Sequence, residues 1–130
     1  MYTCETSGVV VRVRPAFLEE ESEPDENRFF WSYTVEIENK GTEAVQLLSR
    51  EWRITDARNH TEIVRGPGVV GETPIIEPGE RFTYTSGAPL PTASGFMSGA
   101  YTMVKGSGEK FDAGIPAFAL DCPFNTMTLH

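Results

Sequence analysis

The residues with the clearest chemical potential are Gly66-Pro67-Gly68-Val69-Val70-Gly71, preceded by Arg65 and followed by Glu72. Their spacing matches G-x-G-x-x-G, a pattern that lets backbone N–H groups approach a pyrophosphate. In a dinucleotide fold such a loop follows a strand and opens a helix whose N-terminus holds the phosphate. Here Thr73-Pro74-Ile75-Ile76-Glu77-Pro78-Gly79 comes next, and Pro78 with Gly79 would break a helix within about one turn. The crossover unit is therefore missing. Glycine-rich backbone can still form an anion nest, with the Arg65 guanidinium beside it for a phosphate. The competing reading gives these glycines a conformational task only, unusual φ and close backbone approach.

Catalysis has little to draw on. The two histidines are His60, beside an expected turn, and His130. A Ser/His/Asp arrangement would have to use His60, and no G-x-S-x-G elbow surrounds Ser49, Ser86, Ser94 or Ser98. Two histidines with Cys4 and Cys122, spread to the far ends of the chain, make a poor set for a four-ligand zinc site. Glu19, Glu20, Glu21, Glu23, Asp25 and Glu26 could hold Mg²⁺ or Co²⁺ loosely through carboxylates. A like-charged run broken by Pro24 reads instead as a solvated loop over 19–27. We expect no catalytic residue, no metal site and no cofactor.

Those six acids account for all but two of the eight net negative charges, so the rest of the chain is near neutral. No basic stripe is visible, which argues against nucleic acid as a direct partner. No run approaches the roughly 20 apolar residues that span a bilayer, so no membrane partner is expected. Met1 to Thr6 lacks a basic region followed by an apolar stretch, and the expected location is the cytoplasm. A Cys4–Cys122 disulfide could contribute up to about 4–5 kcal/mol by closing so long a loop. In a reducing compartment free thiols are the expectation.

The elements that must position these residues follow a period of two. Phe29, Trp31, Tyr33, Val35 and Ile37 alternate with Ser32, Thr34, Glu36 and Glu38, the mark of a half-buried strand. Val9, Val11 and Val13 alternate with Arg12 and Arg14 in the same way. Across Val45 to Asp56 the phase changes: Val45 and Leu47 are odd, whereas Leu48, Trp52 and Ile54 are even. Keeping one face buried through that switch requires an extra residue, so a bulge is expected near Leu48-Ser49-Arg50. Asp56-Ala57-Arg58-Asn59 reads as a turn with Asn59 left-handed, and His60 to Arg65 returns as the partner strand. Glu77-Pro78-Gly79-Glu80 is a second turn before Arg81 to Thr85, whose Phe82 and Tyr84 are expected to face inward. Tyr101 with Met103, and Phe118 with Leu120, mark the last strands. Nine prolines and no helical stripe leave seven or eight antiparallel strands in one domain over 1–130, with a C-terminal tail at 122–130. Trp31, Trp52, Phe82 and Phe118 are the expected core aromatics.

Several runs, taken together, resemble the ApaG family. They include Val45-Gln46-Leu47-Leu48-Ser49-Arg50 with Trp52, Ile54, Thr55 and Asp56; Val64-Arg65-Gly66-Pro67-Gly68-Val69-Val70-Gly71-Glu72; and Pro78-Gly79-Glu80 with Phe82-Thr83-Tyr84-Thr85-Ser86-Gly87. Gly95, Met97, Gly99, Tyr101, Met103, Phe111-Asp112 and Ile115-Pro116-Ala117-Phe118 continue the likeness. Glu51 stands where many members have histidine, Asn59 where glycine is common and Ala88 where cysteine is frequent. The resemblance implies an all-β, fibronectin type III-like or immunoglobulin-like β-sandwich. It also implies kinship with domains of eukaryotic F-box proteins and of a DNA-polymerase-delta-interacting protein, and a link to cobalt tolerance and magnesium efflux. It carries over no catalytic residue.

The expected function is a non-catalytic module that binds another protein or a peptide through loops and exposed strand edges. The first candidate segments are Arg65, Gly66, Gly68, Gly71 and Glu72 in one loop, and Tyr84 and Ser86 at a strand end. The alternative is a small anion or pyrophosphate-containing nucleotide on loop 66–71. A regulator of divalent-cation transport that acts through its partner is a third reading. Open strand edges would also let the domain form a homodimer.

Overall fold

Alternating valines make Val9–Phe17 (β2) apolar on one face, and the same period runs through Phe29–Asn39 (β3), so the two strands pair with both apolar faces on one side. In the computed structural model, which describes residues 1–123, they are the centre of a sheet ordered β1-β2-β3-β7, where β1 is Tyr2–Thr6 and β7 is Arg81–Leu90. The second sheet is ordered β5-β4-β8-β9: Thr61–Pro67, Val45–Asp56, Ser94–Lys105 and Lys110–Asp121. The short strand β6, Ile75–Ile76, extends it beside Val45 and Gln46. Every pairing is antiparallel. The fold is thus the expected fibronectin type III-like sandwich, with nine strands among the described residues where seven or eight were anticipated. The additions are β1 and the two-residue β6.

Inward-facing residues of both sheets form one core. Tyr33, Trp52 and Phe118 make an aromatic cluster with ring centroids 5.2 to 6.0 Å apart, joining the sheets edge to face. Trp31 is buried and donates its indole N–H across the sandwich to Asp121 O at 3.0 Å. Phe82 departs from expectation: it is half-buried, because it lies on edge strand β7 and packs against the margin of the core.

The two sides of the sandwich differ. Along one side β1 faces β9, and the Tyr2 hydroxyl and Thr6 Oγ1 accept hydrogen bonds from Ala119 N–H (3.4 Å) and Gly114 N–H (3.1 Å). Along the other, β7 and β5 are terminal strands with no further partner among the described residues.

The bulge appears where the phase change requires it. Leu47 pairs with Met103 and Ser49 with Thr102, so Leu48 is the extra residue. Asn59 is left-handed at φ 68° in the turn after β4. The acidic segment is a surface loop with a short 3₁₀ turn, Pro24–Glu26, pinned by Ser22, whose hydroxyl donates to Leu18 O and accepts from Phe30 N–H. Cys4 is half-buried, Cys122 is buried, and both are free thiols. The expected tail is shorter at its start: Cys122 belongs to the core and donates its N–H to Ala93 O at 3.0 Å. Residues 124–130 of that tail, with His130, lie outside the described residues.

Candidate functional site

The bulge decides which side chains of β4 look between the sheets. Before it the inward residues are odd, Val45 and Leu47; after it they are even, Arg50 and Trp52. Arg50 is therefore carried onto the inner face of the sandwich at its open side. Its guanidinium lies against the backbone of Gly66, which is opposite it in register; a Cβ there would fall 2.9 Å from Nη2 and 3.0 Å from Cζ. Nη1 donates to Pro67 O at 2.9 Å and Gly68 O at 2.8 Å. No carboxylate pairs with Arg50 among the described residues.

The loop after β5 closes over this cation. Gly68 donates its N–H at 2.8 Å to the carbonyl of Leu48, the bulged residue. Val69 and Glu72 then exchange two hydrogen bonds of 2.8 Å, leaving Val70 (φ 44°) and Gly71 (φ 81°) as the central residues of a tight hairpin turn. Positive φ at both central positions is the geometry of a type I′ turn, which favours Asn-Gly. A β-branched valine there is a backbone outlier. Val70 is nevertheless 55% exposed, at the mouth of a cavity.

That cavity, of about 360 Å³, is walled by Tyr33, Trp52 and Tyr84, with Arg50, Ser86 and the 67–71 turn around its opening. Tyr84, on β7, and Tyr101, on β8, share a hydrogen bond between their hydroxyls across the sandwich. Burial pushes both phenols well above the usual tyrosine range, so they stay protonated at neutral pH. Two hydroxyls have two protons and this bond uses one. With Tyr101 as donor, the Tyr84 proton is left to reach the cavity. The Ser86 hydroxyl has no partner among the described residues. The site therefore offers a cation and neutral donors over an aromatic wall, a set suited to holding an oxyanion.

The seven residues singled out in the sequence divide accordingly. Gly71, Tyr84 and Ser86 line the cavity. Gly66 and Gly68 support it: the first gives Arg50 its seat, and the second lies so close to Glu72 that a Cβ would be 2.1 Å from the Glu72 carbonyl oxygen. Arg65 and Glu72 are exposed and do not line it. The Arg65 Nε donates to Glu51 Oε1 at 2.6 Å, and this bond holds the Glu51 carboxyl below the usual range. Sequence reasoning missed Arg50, Tyr33, Trp52 and Val70. The signal for Arg50 was present, since the phase change that requires a bulge gives Arg50 the parity of Trp52. No group of three or more His, Cys, Asp or Glu able to hold a metal ion occurs among the described residues. Among the described residues no helix is long and apolar enough to cross a membrane.

Comparison with known proteins agrees with this architecture. The family model for the ApaG domain matches residues 19–105. The chain is 59% identical to Protein ApaG of Maricaulis maris (strain MCS10) and 56% identical to Protein ApaG of Methylobacterium sp. (strain 4-46), in each case over 100% of both chains. It is also similar to a crystal structure described as an ApaA protein from Bordetella pertussis, at 43% identity and a TM-score of 0.87, covering 88% of this chain and 94% of that one.

Proposed function

The chain belongs to the ApaG domain family, and from that premise we propose that it is a non-catalytic module that recognises an extended segment of a protein partner. The observation that carries this reading is the position of the cavity. It opens on the side of the sandwich where the sheets end in β5 and β7, each with one edge that has no partner among the described residues. An exposed edge offers backbone N–H and C=O groups to an added strand, and an adjacent pocket selects one of its side chains. Val70 supports the same reading, since strained backbone at a pocket rim is a feature of binding sites. The polar groups in the cavity hold protons or a fixed charge and do not exchange protons near neutrality, so they favour binding over acid–base chemistry.

Capture from native lysate by the tagged protein tests this. Proteins retained by the wild type should be lost from Ser86→Phe, which fills the cavity, and from Ile63→Lys, which places a charge on edge strand β5. Identical retention by all three folded proteins would refute it.

A second reading, small-anion binding at the same cavity, is favoured by Arg50 in place of Arg65. It has less support from the loop, because the N–H groups of Gly68, Val69 and Glu72 are engaged within the fold. Calorimetric titration with pyrophosphate, ATP and diadenosine tetraphosphate separates the two, and no heat with any of them removes this reading. On the leading proposal, an involvement in cobalt or magnesium handling runs through the partner, and tight stoichiometric binding of Co²⁺ or Mg²⁺ by the purified chain would contradict it.

A further inference from the structure

We propose that the Arg50 cavity is a receptor for one carboxylate, supplied by an aspartate or glutamate side chain of the extended partner segment. This rests on the recognition reading above and adds the chemistry of the anchor. Arg50 is half-buried, Nη1 is fixed by two carbonyl oxygens, and the guanidinium face is pressed against Gly66. Its orientation is set before any ligand arrives, so little side-chain freedom is lost on binding. A half-buried cation without a counterion is the arrangement that gains most from an anion, because charge-assisted hydrogen bonds are roughly twice as strong as neutral ones. The Ser86 hydroxyl stands at the same cavity as a neutral donor, and the Tyr84 hydroxyl joins it when Tyr101 donates their shared bond.

Charge balance separates a carboxylate from a phosphate. The cavity holds one cation, which one carboxylate neutralises. A phosphate near −2 would leave an uncompensated negative charge beside an aromatic wall, and in a protein whose own net charge is −8. The size agrees as well. A space of about 360 Å³ admits an acidic side chain with its flanking backbone, and the rim extends that backbone toward β5 and β7.

The test uses the full-length ¹⁵N-labelled chain and two blocked peptides, Ac-Ala-Ala-Glu-Ala-Ala-NH₂ and its glutamine counterpart. The glutamate peptide should move the Trp52 indole and the Gly68 and Gly71 amide signals saturably, and bind at least about tenfold more tightly than the glutamine peptide. Arg50→Gln should bring that ratio to about one. Because Arg50 also holds the loop, Tyr84→Phe is the second variant; it removes a hydroxyl donor, leaves the guanidinium in place, and should lower the ratio severalfold. Equal binding of the two peptides, no saturable shift with the glutamate peptide, or tighter binding of inorganic phosphate than of that peptide would each overturn the proposal. Failure here is distinguishable from failure of the recognition reading. If Arg50→Gln still retains the wild-type partners while Ser86→Phe loses them, the carboxylate anchor falls and edge recognition stands.

Discussion

Exchanging Gly68 and Gly71 separately for alanine tests whether the glycine loop is there for backbone proximity. Both residues are left-handed, at φ 58° and 81°, so each alanine incurs the cost of a Cβ in that region, about 1–2 kcal/mol. The space around them differs. At Gly71 an added Cβ meets nothing within 4 Å, whereas at Gly68 it lies 2.1 Å from the Glu72 carbonyl oxygen and 2.9 Å from its carbon. Relief at Gly68 requires the loop to part by about 1 Å or more, since carbon contacts settle near 3.5 Å. That movement breaks the paired 2.8 Å bonds between Val69 and Glu72. At roughly 0.5–1.5 kcal/mol net for each bond, Gly68→Ala should lose about 1–3 kcal/mol more than Gly71→Ala. Any gain from stiffening the unfolded chain is common to both and cancels. Urea unfolding of the wild type and both variants measures the difference, and thermal melting should show the Gly68 variant lower by about 3–12 °C. Losses equal within about 0.5 kcal/mol would show that close approach at Gly68 is not what demands glycine there.

Three further outcomes follow from named groups. The Tyr84 and Tyr101 phenols ionise less readily folded than unfolded, so their contribution is complete below about pH 10, the unfolded value, and declines as pH rises through the folded values. Absorbance near 295 nm should show two tyrosines that ionise only with alkaline unfolding, and Tyr101→Phe should flatten the loss. Asp56 is opposite in sign: its carboxylate accepts from His60 N–H at 3.0 Å and Arg58 N–H at 2.8 Å, and the His60 bond is the main cause holding its pKa low. Its contribution is present above the unfolded value near 4 and is lost as pH falls through the depressed one, so Asp56→Asn should reduce the acid-side slope of melting temperature against pH. For the thiols, a maleimide reagent should label half-buried Cys4 in the native protein and Cys122 only on unfolding. Equal native labelling would contradict the burial of Cys122.

Local rules reached most of the framework because the apolar period of two is plain in β2 and β3, and the change of phase in β4 is itself the mark of a bulge. Turn chemistry did the same at Gly79 and Asn59, both left-handed in the structure. β1 was not legible, because Tyr2 to Thr6 has no strong apolar period; it is ordered by pairing with β2 and by contacts with β9. β6 has two residues, too few for any period, and exists through Val45 and Gln46. The cavity was half legible. Tyr84, Ser86 and the glycine turn lie in runs a reader can mark, but the sequence places Arg65 nearest the glycines. The structure turns Arg65 toward Glu51 and brings Arg50 in from the neighbouring strand. Choosing between the two arginines requires both the pairing of β4 with β5 and the phase set by the bulge.

The extra residue at Leu48 makes β4 tolerant of a change in length. Leu47 and Ser49 already oppose the consecutive residues Met103 and Thr102, so losing the Leu48 codon would leave Val45, Leu47, Arg50 and Trp52 inward and Glu51 outward in unbroken alternation. The cavity would keep its cation. What would go is the Leu48 carbonyl that accepts from Gly68 N–H, and with it one of the ties that close the glycine turn over Arg50. Relatives that differ by a one-residue gap at this point are thus expected to keep the same lining and to differ in how firmly the turn is held.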